Sequence, residues 1–249
     1  MWVNKDILVV AKTYPQPSRS HVETVCTAGI TKDCEWIRLY PVRFRYLPFE
    51  KRFTKYQWIS AEVQKLPTDD RPETHRLNEE SLRMGEVIGT SDNWRRRRDL
   101  VLPLVNESVE ELQFMQRETG QSLGLVKVED ILDFRVGPAD LAPKLVQQSL
   151  FEDVHDLDPI PLLFRYRYKC AGDNCNGHDM SIIDWEIGEL YRRARARCTT
   201  EAEIRDYLAG KFVDMMFSSE RETYFFLGTH RWHPSRFMIC GVFYFKKEV

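Results

Sequence analysis

The chain has 249 residues, a formal charge of −2, 43% hydrophobic residues and 12% aromatic residues. That suffices for one large domain or two small ones, with a core that needs no disulfides. No stretch approaches the ~18 apolar residues of a membrane helix. The sequence also lacks a P-loop, a dinucleotide fingerprint and a nucleophile elbow, which argues against ATPase, dehydrogenase and serine-hydrolase chemistry.

The start, MWVNKDILVVAKTYP, has no basic lead, long apolar run or small-residue cleavage site. Cytoplasm, with no membrane association, is the expected setting, and there the six scattered cysteines are reduced thiols or metal ligands. Residues 5–14 read as a buried strand ended by Pro15 and Pro17. Residues 22–30 and 35–42 follow as strands, 47–55 as a loop or short helix, and 57–66 as a further strand closed by Pro67. The first half therefore reads as an antiparallel β-rich sheet or small barrel.

From Pro67 to Asn93 the chain is polar and is expected to form a surface excursion with a short helix near 79–84. Trp94 and the run Arg95–Arg98 come next. Ser108 and Glu111 form a capping box for a helix stopped by Gly120. Residues 129–158, acidic and punctuated by prolines, read as a connection between a β-rich domain over 1–128 and a C-terminal α+β domain over 159–249. In that second part, 162–169 and 180–185 are expected strands flanking a Cys/His turn. Ile187, Leu190, Tyr191 and Ala194 recur at helical spacing, and Thr200 and Glu203 open a second helix. Residues 223–229 and 237–245 are strong strands. The whole is an α+β chain.

Three groups of residues carry candidate chemistry. Cys170, Cys175 and His178 put two sulfurs and an imidazole within nine residues, with Gly172 and Gly177 allowing a tight fold. Zinc takes such ligands tetrahedrally, in a structural more than a catalytic site. The fourth ligand is open among His230, His233, Cys198 and Cys240, and the plainer reading is a polar turn with incidental thiols. Asp184 and Glu186, two apart, form an acidic pair that could hold a divalent ion for phosphodiester hydrolysis together with His230 and His233. The plainer reading places both acids at a helix start, where the dipole favours them.

The third group interleaves cations with rings. Trp36, Arg38 and Tyr40 alternate along one strand, with Arg43 and Arg45 beyond it. Phe164-Arg165-Tyr166-Arg167-Tyr168-Lys169 sets three rings against three cations. Rings stack on bases and cations hold phosphates, although aromatics also fill cores and strand cations also face water. A nucleic-acid-binding or nucleic-acid-processing protein, possibly zinc-stapled, is the leading expectation. A metal-dependent phosphodiester hydrolase and a non-catalytic subunit that meets a protein partner are the alternatives.

Overall fold

The computed structural model describes residues 1–18, 22–139, 160–173 and 175–248. Its first half contains β1 (Val3–Lys12), β2 (Gln16–Ser18), β3 (Val22–Thr31), β4 (Trp36–Val42), β5 (Gln57–Lys65), β6 (Thr74–Leu77) and β7 (Arg83–Val87). Five of these close in the order β1-β3-β4-β6-β5-β1, antiparallel throughout except for β4 and β6. β2 pairs with β3, and β7 with β5. The expected small barrel is what forms.

Helix α1 (Ser91–Val101), the short β8 (Val105–Asn106) and α2 (Val109–Thr119) lead into the second half. There β9 (Leu123–Pro138), β10 (Leu162–Cys170), β11 (His178–Ile182), α3 (Trp185–Arg195), α4 (Glu201–Ala209), β12 (Arg221–His230) and β13 (His233–Lys246) follow in sequence. These strands also close, as β9-β10-β11-β13-β12-β9, with only β11 and β13 parallel within the ring. Both barrels thus have one winding. The first strand lies between the second and fourth, and the third lies beside the fifth. No helix among the described residues is long and apolar enough to cross a membrane.

The barrel strands that face each other are buried on both sides, which explains their unbroken apolar runs. On β1, Ile7 and Val9 enter the first barrel, while Leu8 and Val10 enter a second core between the barrels. On β12, Phe225 and Leu227 fill the second barrel, and Tyr224 and Phe226 fill the core between. Phe243 and Phe245 of β13 join that middle core, with Phe226 and Phe243 centroids 6.3 Å apart.

A buried polar knot crosses the same boundary. Arg38 on β4 is 1% exposed. Its guanidinium donates to Ser122 Oγ at 2.5 Å and to the Ser122 carbonyl at 2.9 Å. The Glu73 carboxylate accepts from Ser122 N–H and Ser122 Oγ, both at 2.7 Å, while the Glu73 carbonyl accepts from Arg38 N–H at 2.8 Å.

Two expectations change here. Residues 67–93 hold strands β6 and β7, and no helix spans 79–84. Thr74–Leu77 supplies the strand that closes the barrel between β4 and β5, so tertiary pairing decides that stretch. Ser81 N–H bonds to the Asn78 carbonyl in a turn, and Leu82 is buried in the first barrel. Of the acidic connection 129–158, residues 129–138 are the second half of β9; residues 140–158 lie outside the described residues. Glu129, Asp130 and Asp133 occupy the outer face of that strand, while Ile131, Phe134 and Val136 pack inward.

Removing the Arg38 guanidinium leaves the Glu73 carboxylate buried without its counter-charge. Arg38→Ala is expected to cost about 3–5 kcal/mol in urea unfolding, whereas Arg96→Ala, which removes an exposed arginine paired on the surface with Glu86, should leave the unfolding midpoint nearly unchanged. An equal effect of the two changes would contradict the knot's role.

Candidate functional site

Cys170 ends β10 and His178 begins β11, so the antiparallel pairing of these strands brings the ends of the turn together. His178 Nε2 lies 3.4 Å from Cys170 Sγ and 3.2 Å from Cys175 Sγ. All three donor atoms fall within 4.8 Å of one another, close enough to hold a metal ion and compatible with zinc. Gly177 takes φ +96°, a conformation that favours glycine, and makes the turn possible. Gly172 has a different task. A Cβ there would sit 2.4 Å from Ser108 Cβ, so only glycine lets the turn abut the start of α2.

That start carries one half of the expected capping box, since the Glu111 carboxylate accepts from the Glu107 N–H at 2.7 Å and not from that of Ser108. Ser108 Oγ accepts from Glu111 N–H at 3.0 Å, and Val109 and Leu112 are buried in the second barrel's core. Glu110, between them, points its carboxylate at the turn. Its oxygens lie 3.8 Å from Cys170 Sγ and 3.4 Å from His178 Nε2. Burial pushes the Cys170 thiol pKa up, while the N–H groups of Val109 and Gly172 directed at its sulfur pull the other way. Burial also lowers His178 below the usual imidazole range, so its neutral form, the one that ligates, is favoured. The four side chains considered above as a further ligand are elsewhere. Cys240 faces the middle core, His230 and His233 flank the β12–β13 hairpin, and Cys198 follows α3.

The structure does not gather Asp184, Glu186, His230 and His233. Asp184 is the N-cap of α3 and accepts from Glu186 N–H at 3.1 Å. It is fully buried, and Lys55 of the first barrel stands 3.8 Å from Asp184 and 3.3 Å from Glu186. Burial pushes the Asp184 carboxyl up to about 6 against the pull of Lys55. Lys12 completes this inter-barrel cluster. Its ammonium donates to the Phe53 carbonyl at 3.0 Å and sits 3.9 Å over the Phe44 ring and 5.1 Å from Trp185. Burial, then the charge of Lys55, lowers it to about 8. Gly188 in the next turn of α3 is packed on Tyr14, where a Cβ would meet the ring at 2.1 Å. The histidines are far from this. The Ile183 N–H bonds to Ile239 on β13, and His233 is six residues earlier on that strand, roughly 20 Å away along extended chain. His230 and His233 stack on each other across the hairpin, 5.8 Å between centroids.

The basic and aromatic residues divide between two surfaces. Trp36 is half-buried with its ring edge-on to Phe226 of the second barrel at 6.2 Å, and Tyr40 is also half-buried. Arg38 is enclosed, so no phosphate reaches it in this arrangement. Arg43 pairs with Glu79 at 3.5 Å and Arg45 with Glu23 at 2.7 Å. The run Arg95–Arg98 is likewise engaged, with Asp92, Glu86, the Ile88 carbonyl and Glu248 in turn. On β10, Tyr166 and Tyr168 point into the second barrel, and Arg165, Arg167 and Lys169 point out. Arg165 and Arg135 share Asp179. Among the described residues neither Arg167 nor Lys169 forms an ion pair; both are exposed, with Asp133 and Asp130 opposite them on β9.

Two closed barrels of one winding, joined by a core and a buried polar knot, and a Cys/His turn on the second, define a strand-rich α+β protein with a metal-competent site. The chain belongs to the family described as domain of unknown function DUF8757, whose model matches residues 105–249. Residues 3–103 match a second family, domain of unknown function DUF8758. No curated protein matches the chain. A solved structure described as a murine DNA binding protein bound with ds DNA aligns with 99% of this chain and 96% of its own, at 10% identity and a TM-score of 0.32.

Lys12 gives the cluster a measurable signature. Its folded value of about 8 lies below the unfolded 10.5, so between those pH values the unfolded chain holds more protons. Stability contributed by this group therefore rises with pH across that window, by at most about 3 kcal/mol. Subtracting the pH–stability curve of Lys12→Met from that of the wild type is expected to reveal that rise; parallel curves from pH 8 to pH 10.5 would contradict it.

Proposed function

We propose that the protein binds single-stranded nucleic acid on the outer face of its second barrel, beside a turn that holds zinc. The winding supports this. A five-stranded Greek-key barrel of this kind is the OB-fold, which takes oligonucleotides on its second and third strands and on the loops joining strands one to two and four to five. In the first barrel the corresponding face, β3 and β4, meets the second barrel through Trp36 and Arg38. In the second barrel the same face, β10 and β11, carries exposed Arg167 and Lys169.

The observation that carries the reading is the loop between its fourth and fifth strands. Trp232 at the β12–β13 turn is 71% exposed, an unusual position for so large a ring. The Arg231 guanidinium lies 4.7 Å from that ring while donating to the Thr68 carbonyl, and His230, His233 and Arg236 are exposed around it. A flat ring with a guanidinium beside it can stack on a base while Arg231 and Arg236 hold phosphates. Because Asp179, Asp133 and Asp130 lie among the β10 cations, stacking contributes more of the affinity than net charge does.

The zinc reading follows from the same barrel. A closed site at residues 170–178 would fasten the loop between its second and third strands, and metal binding would add to folding stability. Purified chain is expected to hold one zinc per molecule, and Cys170→Ser with Cys175→Ser should remove it and lower the melting temperature by several degrees. A metal-free wild type with the same melting temperature would contradict this.

Affinity for a short oligonucleotide, read by fluorescence anisotropy, is expected to fall about tenfold or more in Trp232→Ala. Arg167→Glu with Lys169→Glu should weaken it further. Phosphate contacts from the four exposed cations Arg167, Lys169, Arg231 and Arg236 would give a slope of log affinity against log salt no steeper than about −3. Charge reversal at Arg43 and Arg45, both engaged by acids, should leave the affinity unchanged if the fold survives. Binding indifferent to Trp232 and to Arg167 with Lys169 would contradict the proposal.

A further inference from the structure

We infer that Glu110 is the fourth ligand of the metal centre, so that the ion ties the first turn of α2 to the β10–β11 turn. The inference rests on the reading of residues 170–178 as a metal site and adds a residue from a different element. With sulfur ligands near 2.3 Å and nitrogen or oxygen ligands near 2.0 Å, the edges of a tetrahedron around zinc run from about 3.3 Å to about 3.8 Å. Three of the four separations here fall in that range and the fourth lies just below it, with the two Glu110 oxygens facing different donors. His178 Nε2 is 3.4 Å from Cys170 Sγ, 3.2 Å from Cys175 Sγ and 3.4 Å from Glu110 Oε1, and Glu110 Oε2 is 3.8 Å from Cys170 Sγ.

The placement of Glu110 is set by the fold independently of any ligand. Ser108 caps α2, Val109 and Leu112 anchor its first turns in the second barrel's core, and Gly172 lets the Cys/His turn close on Ser108 without a side chain between them. Glu110 then faces the donors, with no cation among its partners in the described residues except the imidazole of His178. Two thiolates, a neutral imidazole and a carboxylate leave a zinc site with one net negative charge. The Glu110 side chain is 54% exposed, so the carboxylate is the ligand on the solvent side and the one that an incoming donor can displace.

The test is zinc affinity of the full-length chain by competition with a chromogenic chelator, together with the zinc-induced rise in melting temperature. Glu110→Ala is compared with Glu107→Ala, which removes the same charge from an exposed side chain just before the cap. Expected are one zinc per wild-type chain, an affinity lowered about tenfold or more in Glu110→Ala with a smaller thermal shift, and wild-type behaviour in Glu107→Ala. Wild-type affinity and thermal shift in Glu110→Ala would remove Glu110 from the site and leave the three-residue reading standing. Equal losses in both variants would reduce the effect to general charge and overturn the assignment. Failure of the wild-type chain to bind zinc would overturn the inference and the reading beneath it together.

Discussion

The guanidinium of Arg38, held by Ser122 and balanced through it by Glu73, is the constraint on which the arrangement depends. A charge removed this completely from water is tolerable only with its partners in place. Those partners come from the loop before β6, in the first barrel, and from the residue before β9, which opens the second. The knot therefore fixes where the outer face of β4 must sit. That face is covered by the neighbouring barrel, so the oligonucleotide proposed above is left with β10 and β11.

The cluster around Lys55 does similar work on another side of the same boundary. Asp184 caps α3 and meets Lys55, Trp185 packs on Phe44 and Tyr14, and Arg192 donates to the Tyr14 hydroxyl at 2.5 Å. Helix α3, inserted between the third and fourth strands of the second barrel, is thereby laid against the first. Acids that resemble a metal-binding pair on paper serve here as a cap and as counter-charges. Lys12, pressed against rings, keeps its proton less readily than a surface lysine would.

Much of this was legible in local patterns. The runs at 5–14, 22–30, 35–42, 57–66, 223–229 and 237–245 are all strands, because β-branched and aromatic residues bounded by turn residues leave few other options. The Thr200–Glu203 capping box and the Ser108 cap on the Glu111 N–H sit where their spacing put them, although the Glu111 carboxylate accepts from the Glu107 N–H and not from that of Ser108. Three of the converging donors are neighbours in sequence, so Cys170, Cys175 and His178 could be found by spacing alone. What escaped was non-local. Thr74–Leu77 is a strand only because a gap between β4 and β5 needs filling, and the acidic stretch from Glu129 is a strand only because β10 pairs with it. Arg38 and Arg167 occur in similar alternating contexts, yet one is enclosed by a second barrel and the other faces water. No periodicity distinguishes them. Glu110 lies sixty residues from Cys170 and is joined to it only by the fold.

The central claim is that the second barrel's outer face, and not the first barrel's, is the one available to a polynucleotide. Hydrogen–deuterium exchange on the full-length chain with and without a saturating single-stranded oligonucleotide tests it most directly. Slower exchange confined to the backbone of 164–169, 178–182 and 229–236, with 36–42 unchanged, is the result the account predicts. Protection centred on 36–42, or an exchange map that the oligonucleotide leaves unaltered, would contradict it.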